Sequence, residues 1–532
     1  MNYKEELQRA IQLTQQGQYE QAEKLYLELV KEFPEEPILY SSFGLYYVYL
    51  KNYDKAIYYL KHAQELKETP GTVSAYGFAL YEKMDFHAAA IVLEHALSFG
   101  DNIDVYNKLI SSLFEIRDYQ KAIEYTEKMN ELFPDNPKSI ANKVKAYIHT
   151  GKLLEAEDIC LEFLKEHQDN ALFWQQLGFL KELIYSDEES AIECYKASGE
   201  FGNLNADYNI AVAYQKLCNF EKAEEYYNKF LKNFPYSADG KASLGMCLLT
   251  QKKFDEGYKL YYERDNNISD KYVKNLYKPG TKLADELTVV CDQGFGDHVQ
   301  YIRYLPFLND RKIKVAAPKS LTELFKANYP DTEFIDYADI NEDIQTVRIT
   351  DLPYVLGMNY DNIPFSEGYL NIEPADIKND KLRVGLCWEA GAAGIRGMIK
   401  RTINIRCFEP ILNMDNIQVY SFQYTDTLKG NEKYPQMINL AKDFKNFTDT
   451  AKALKAMDIV ITVDTVIAHL AGALGVKTNL LLPYAADWRW FRVGDYKEKT
   501  TLWYKSITVL QQDDHISWEN PLQEIIKILS AK

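Results

Sequence analysis

Two short segments carry the residue types and spacings best suited to chemistry. The first is Cys291-Asp292-Gln293-Gly294-Phe295-Gly296-Asp297-His298. It follows an apolar, β-rich run and opens a helical one. Gly294 and Gly296 free backbone N–H groups to face a ligand, and a helix N-terminus attracts an anion. The segment lacks the spaced third glycine and downstream acidic residue of the dinucleotide fingerprint. The second segment runs Ile461-Thr462-Val463-Asp464-Thr465-Val466-Ile467-Ala468-His469. A buried strand should end at Val463, Asp464 and Thr465 should sit where a helix begins, and His469 should lie one turn along. Free N–H groups and the Thr465 hydroxyl suit a diphosphate. The competing reading makes Asp464 a helix N-cap and His469 a packed helix residue.

The elements that position these turns alternate between short β-rich runs and helical patterns, the signature of a parallel α/β sheet. Expected strands are Leu287–Cys291, Lys312–Ala316, Arg383–Cys387, Gln418–Ser421, Ile459–Val463 and Thr478–Leu482. Expected helices are Asp297–Leu308, Thr448–Lys455 and Val466–Leu474.

Before residue 265 the period differs. An aromatic residue followed three positions later by a small one recurs at Tyr19/Ala22, Tyr53/Ala56, Phe86/Ala89, Tyr119/Ala122, Phe220/Ala223 and Phe254/Gly257. Leu153/Ala156 and Glu188/Ala191 fill the two remaining places and depart from the aromatic, so the array is expected to bend differently there. Successive small residues lie 34, 33, 33, 34, 35, 32 and 34 apart. Eight occurrences at this period resemble the tetratricopeptide repeat (TPR). The aromatic should open the second helix of each hairpin, and the small residue on the same face should let the neighbouring helix approach. Such arrays bury each apolar face only against their neighbours and present a concave groove for protein or peptide partners. Most of the tyrosines are expected to fill the inter-helix core.

The chain has 532 residues, too many for one core, with 61 basic and 78 acidic residues and a net charge of −17. So acidic a chain argues against nucleic-acid binding. Seven scattered cysteines without a CxxC pair argue against a disulfide framework or zinc site, and no metal is expected. The charged helical start lacks an apolar signal segment, and no run is long enough for a transmembrane segment, so a cytoplasmic protein is expected. The expected organisation is multidomain: a TPR array over 1–265, a polar linker over 266–282, a short first lobe over 283–380 and a second lobe over 381–532.

The second half resembles glycosyltransferase family 9, the ADP-heptose:lipopolysaccharide heptosyltransferase group, and in particular bacterial proteins that fuse TPR repeats to such a domain. The matching text is QGFGDHVQYIRYLPFL (Gln293–Leu308), VGLCW (Val384–Trp388), Lys400-Arg401-Thr402, FTDTAKALKAMDIVITVDTVIAHLAGALG (Phe447–Gly475) and LLPYAADWRW (Leu481–Trp490). The resemblance implies a GT-B architecture of two Rossmann-like lobes with the site in the cleft between them. It also implies inverting, metal-independent transfer from a nucleotide sugar, with no further cofactor. Carried over by position, Asp297 is the catalytic base, with Gly294 and Gly296 in its turn. Lys400 and Arg401 supply phosphate contacts. Asp464, Thr465, Ala468 and His469 form the donor motif. Gln293, His298, Asp487, Trp488 and Arg489 are possible cleft residues.

The sequence departs from that family at several points. His298 replaces a small hydroxyl residue and should pair with Asp297 or crowd it. Gly391–Met398 is rich in Gly and Ala. Lys505 stands where a proline is expected. The first lobe, at roughly 100 residues, is lean for an acceptor-binding lobe, which suggests that the repeat array completes the acceptor site. Three functions compete: transfer to a protein or peptide held by the array, transfer to a surface glycan with the array docking a partner, or a non-catalytic TPR scaffold with a degenerate transferase domain.

Overall fold

The computed structural model describes residues 3–264, 274–391, 401–424, 433–491 and 499–531. Sixteen helices, from Tyr3–Gln15 to Phe254–Tyr262, form eight successive hairpins. The second helix of each hairpin begins at Tyr19, Tyr53, Phe86, Tyr119, Leu153, Glu188, Phe220 and Phe254, the residues singled out by the repeat. Ala22, Ala56, Ala89, Ala122, Ala156, Ala191 and Ala223, three positions on, are all fully buried. The close approach extends to the first helices. A Cβ on Gly44 would come within 2.5 Å of Leu60 Cγ, and one on Gly245 within 2.7 Å of Tyr261 N.

Each hairpin turn also contains one residue in the left-handed region, always two positions before the second helix. These residues are Gly17, Lys51, Met84, Arg117, Gly151, Ser186, Cys218 and Lys252. Asn52, Asp85, Asp118, Asp187 and Asn219 then cap the following helix by accepting a backbone N–H.

The chain divides into two compact units, Met1–Leu180 and Lys181–Lys532. The division falls inside the helix Ala171–Tyr185, which opens the sixth repeat. The second unit therefore holds the last repeats together with two parallel sheets. Of the polar stretch expected as a linker, residues 266–273 lie outside the described residues.

The first sheet contains β1 (Glu286–Val290), β2 (Lys312–Ala316), β3 (Glu333–Ile335) and β4 (Gln345–Arg348), in the order β3-β2-β1-β4. The second contains β5 (Leu382–Cys387), β6 (Ile417–Ser421), β7 (Ile438–Asn439), β8 (Ile459–Val463), β9 (Thr478–Leu482) and β10 (Ile507–Gln511), in the order β10-β9-β8-β5-β6-β7. All pairings between these strands are parallel. Counted within the second sheet, the order is 3-2-1-4-5-6, that of doubly wound sheets, whose ligands bind where the order reverses. Here the reversal lies between β5 and β8. Every residue of β8 and β9 is buried, as strands covered on both faces require.

The helix expected over Asp297–Leu308 is α-helical only over Phe295–Tyr301 and continues as a 3₁₀ segment, Ile302–Leu308, around Pro306.

In the first sheet the corresponding reversal, between β1 and β4, is plugged by the end of the last repeat helix. Arg264, 7% exposed, places one amino nitrogen 2.7 Å from Asp292 and the other 2.7 Å from Asp351. Thr350 donates to Asp292 at 2.8 Å, and Arg348 Nε meets Asp351 at 2.5 Å. The last repeat and the first sheet thus share one buried charge network.

Candidate active-site cleft

The two turns meet inside the second unit. The helix Phe295–Tyr301 packs on the helix Val466–Ala473. Gly296 is small for this reason: a Cβ there would stand 2.9 Å from His469 Cδ2. The left-handed position of the first turn is filled by Gln293, while Gly294 is extended. Gly294 N donates to Asp297 Oδ2 at 3.1 Å, so the carboxylate caps its own helix.

Beside this junction opens a cleft of about 480 Å³, within the range of small-molecule sites. It lies at the reversal point of the second sheet. Cys387 and Glu389 enter it from the end of β5, Asp464 and Thr465 from the end of β8, and Gln423 from beyond β6. Gly296, Arg401, Asp464 and Thr465 among the expected residues line it. Lys400 lies outside the described residues.

Thr465, rather than Asp464, caps the following helix, its hydroxyl accepting from Ile467 N at 3.3 Å. Asp464 is released from that role and sits 3.9 Å from Arg401. Burial, reinforced by the Asp487 charge, pushes its carboxyl up to about 6. A carboxyl titrating there exchanges a proton near neutrality.

The late Asp487-Trp488-Arg489-Trp490 run divides four tasks. Arg489 forks between Asp297 Oδ1, at 2.6 Å, and Asp487 Oδ1, at 3.0 Å. Burial works to raise the Asp487 carboxyl, but the Arg489 charge prevails and holds it below its ordinary value. Trp488 packs against Tyr258 and Tyr261 of the last repeat helix. Trp490 stacks on His469, with centroids 5.1 Å apart.

His469 and Ala468 are buried behind the cleft. His469 Nδ1 lies 3.1 Å from the Tyr504 hydroxyl. Burial, together with the Arg489 and Arg303 charges, lowers its imidazole to about 3, so it is neutral at ordinary pH. The packed-residue reading therefore describes His469. His298 does not pair with Asp297. It is buried, with Nε2 2.8 Å from the Asp292 carbonyl oxygen, and burial lowers its pKa.

Sequence reasoning missed the other half of the lining. Gln423 Oε1 accepts from Trp388 N at 3.2 Å and Glu389 N at 2.9 Å, tying the ends of β5 and β6 together. Lys445, Asn446, Phe447 and Thr450 contribute the opposite rim. Position just beyond the carboxyl end of a parallel strand was the signal available for Glu389 and Gln423.

Arg303 was also missed. It is completely buried and held by the carbonyls of Gln300, Pro364 and Trp503 and by the Tyr369 hydroxyl. Among the described residues no carboxylate pairs with it. Arg303 lies outside the cleft lining and Arg489 is neutralised by Asp297 and Asp487, so at the cleft itself Arg401 and the N-terminus of Val466–Ala473 are the groups that favour an anion. Among the described residues no group of three or more His, Cys, Asp or Glu is placed to hold a metal ion, and no helix is long and apolar enough to cross a membrane.

Models of the tetratricopeptide repeat match residues 7–71, 113–177 and 208–268. No curated protein matches the chain. Similar solved structures include a tetratricopeptide repeat protein from Parabacteroides merdae, at 12% identity over 46% of this chain and 98% of that one, with a TM-score of 0.43. Yeast Tom70 matches at 18% identity over 46% and 54%, with a TM-score of 0.40. The APC/C hetero-tetramer Cut9–Hcn1 matches at 16% identity over 45% and 48%, with a TM-score of 0.35. The chain spans about half the length of the last two. The repeat models show tetratricopeptide repeats in the N-terminal half.

Proposed function

We propose that the chain is a glycosyltransferase of GT-B type that moves a sugar from a nucleotide sugar to an acceptor recruited by the repeat array, a protein, peptide or surface glycan. The observation that carries this reading is the cleft at the β5/β8 reversal, where Asp464, Thr465 and Arg401 converge beside the Asp297 helix. The Thr465 hydroxyl, the N-terminal amides of Val466–Ala473 and Arg401 suit a diphosphate. The hydrophobic rim, with Phe295, Phe422 and Phe447, suits a nucleoside.

In the proposed reaction a carboxylate takes the proton of the acceptor hydroxyl. The oxygen bonds to the anomeric carbon, and the bond to the diphosphate oxygen breaks. Charge on the departing diphosphate is met by Arg401 and the helix amides. Position in the motif assigns the base to Asp297, oriented by Arg489. A second assignment, to Asp464, is favoured by its place on the cleft wall and its carboxyl near 6.

The test is slow cleavage of nucleotide sugars by the full chain without acceptor, followed by chromatography of the nucleoside diphosphate. Release that disappears in Arg401→Ala supports a transferase. Absence of cleavage and of binding for every donor would favour the competing scaffold role.

A further inference from the structure

A second cavity, of about 220 Å³, lies within the same unit at the carboxyl ends of β9 and β10. One wall comes from the repeats, with Glu182 and Lys216, and the other from the sheet, with Tyr484, Gln512, His515 and Trp518. We propose that this cavity is the subsite for a neutral sugar ring of the acceptor. The proposal rests on the transferase reading.

Three observations point to a saccharide. Glu182 is 4% exposed and lies 2.5 Å from Lys216 Nζ, so the two charges neutralise each other and the cavity offers polar groups without net charge. Aromatic faces stand beside them: the Tyr484 and His515 rings are 4.3 Å apart, and Trp518 lines the same space. Gln512 is buried and fixed, its Oε1 accepting from Tyr484 N at 3.2 Å, which leaves its two amide donors on the opposite side of the group. A carboxylate, an amide and an imidazole between ring faces match the hydroxyls and apolar faces of a pyranose.

An extended peptide fits less well. The outer edge of β10 is already occupied: Thr500 bridges Thr508, and Val509 N donates to the Lys499 carbonyl. Strand addition at this edge is therefore closed. The volume, below that of drug-sized sites, suits one ring.

Its position suits an acceptor. β8, which leads into Asp464, is two strands from β10, roughly 10 Å at ordinary strand spacing. The segment that leaves β9 lines this cavity with Pro483, Tyr484 and Ala485, then carries Arg489 to its ion pair with Asp297 on the helix beside the cleft.

The experiment is saturation-transfer NMR on the full chain with the methyl glycosides of glucose, galactose, mannose and N-acetylglucosamine, and with an uncharged Gly/Ser/Ala decapeptide. Ala485→Phe fills the cavity, and His515→Ala removes an exposed-loop ring without touching the core. At least one glycoside should saturate, and both variants should weaken it by about tenfold or more while nucleoside diphosphate affinity stays within about twofold. Glycoside binding undiminished in Ala485→Phe overturns the inference, as does binding of the decapeptide alone. Donor cleavage without any glycoside binding also overturns it and leaves the transferase reading standing. Loss of all donor binding and cleavage in the wild type overturns both.

Discussion

Arg489 Nη2 lies 2.6 Å from Asp297 Oδ1, and the same guanidinium reaches Asp487 at 3.0 Å. The carboxylate assigned as the base is therefore one arm of a charge triad that joins the first turn to the second sheet. Oriented in this way, it is fixed in place but electrostatically satisfied. Asp297→Asn separates the possible roles. As the base, its loss should lower turnover by about 10²- to 10⁴-fold with donor affinity nearly unchanged. Steady-state transfer together with donor titration measures both. Unchanged turnover would make Asp297 a partner of Arg489 only and move the base to Asp464.

Asp464 makes stability depend on pH with a definite sign. Its carboxyl is raised to about 6 in the fold, above its unfolded value, so between about pH 4 and 6 the folded chain holds more protons than the unfolded one. This group's contribution is therefore lost as pH rises through that window, by roughly 3 kcal/mol. Asp464→Asn should match wild type near pH 4 and melt higher than wild type at pH 8. Melting curves across this range check the prediction, and a variant less stable at pH 8 would contradict it.

Arg264 joins the last repeat to the first sheet. Arg264→Leu leaves Asp292 and Asp351 buried with part of their compensation gone, which should cost about 3–5 kcal/mol. Calorimetry should show the transition of the second unit shifting downward. Combining Arg264→Leu with Asp292→Asn should recover part of the loss.

The hairpin turns hold strain that glycine relieves. Arg117 adopts φ 63°. The left-handed region costs a residue with a side chain about 1–2 kcal/mol, against about 0.5–1 kcal/mol of chain entropy for glycine. Arg117→Gly should therefore stabilise the first unit by up to about 1 kcal/mol, and Gly151→Ala should destabilise it by a similar amount. Denaturant melts of the two variants test both signs.

The array was legible because its period is carried by packing. Tyr19, Tyr53 and the other six opening residues stand where the helices begin, and the small residues that follow have no room to grow. The left-handed turn residues were hidden because six of the eight are not glycine. In the sheets, the long buried runs β8 and β9 were readable to the residue. β3, three residues long, and β7, two, are too short to show alternation. Asp464 and Thr465 were found from a strand-to-helix turn. Gln423 and Glu389 were not, since their place on the cleft wall depends on which strands become neighbours at the reversal point. The Asp297–Arg489 pair joins residues 192 positions apart (489 − 297), a separation that no local pattern encodes.

The most direct measurement is a thermal-shift series on the full chain with nucleoside diphosphates and their sugars. A ligand at 100 times its dissociation constant adds about 2.7 kcal/mol to the folded state. The expected result is a selective rise with one nucleotide, strongly reduced in Arg401→Ala. No rise with any nucleotide or nucleotide sugar, in protein that melts cooperatively, would contradict a nucleotide-sugar cleft.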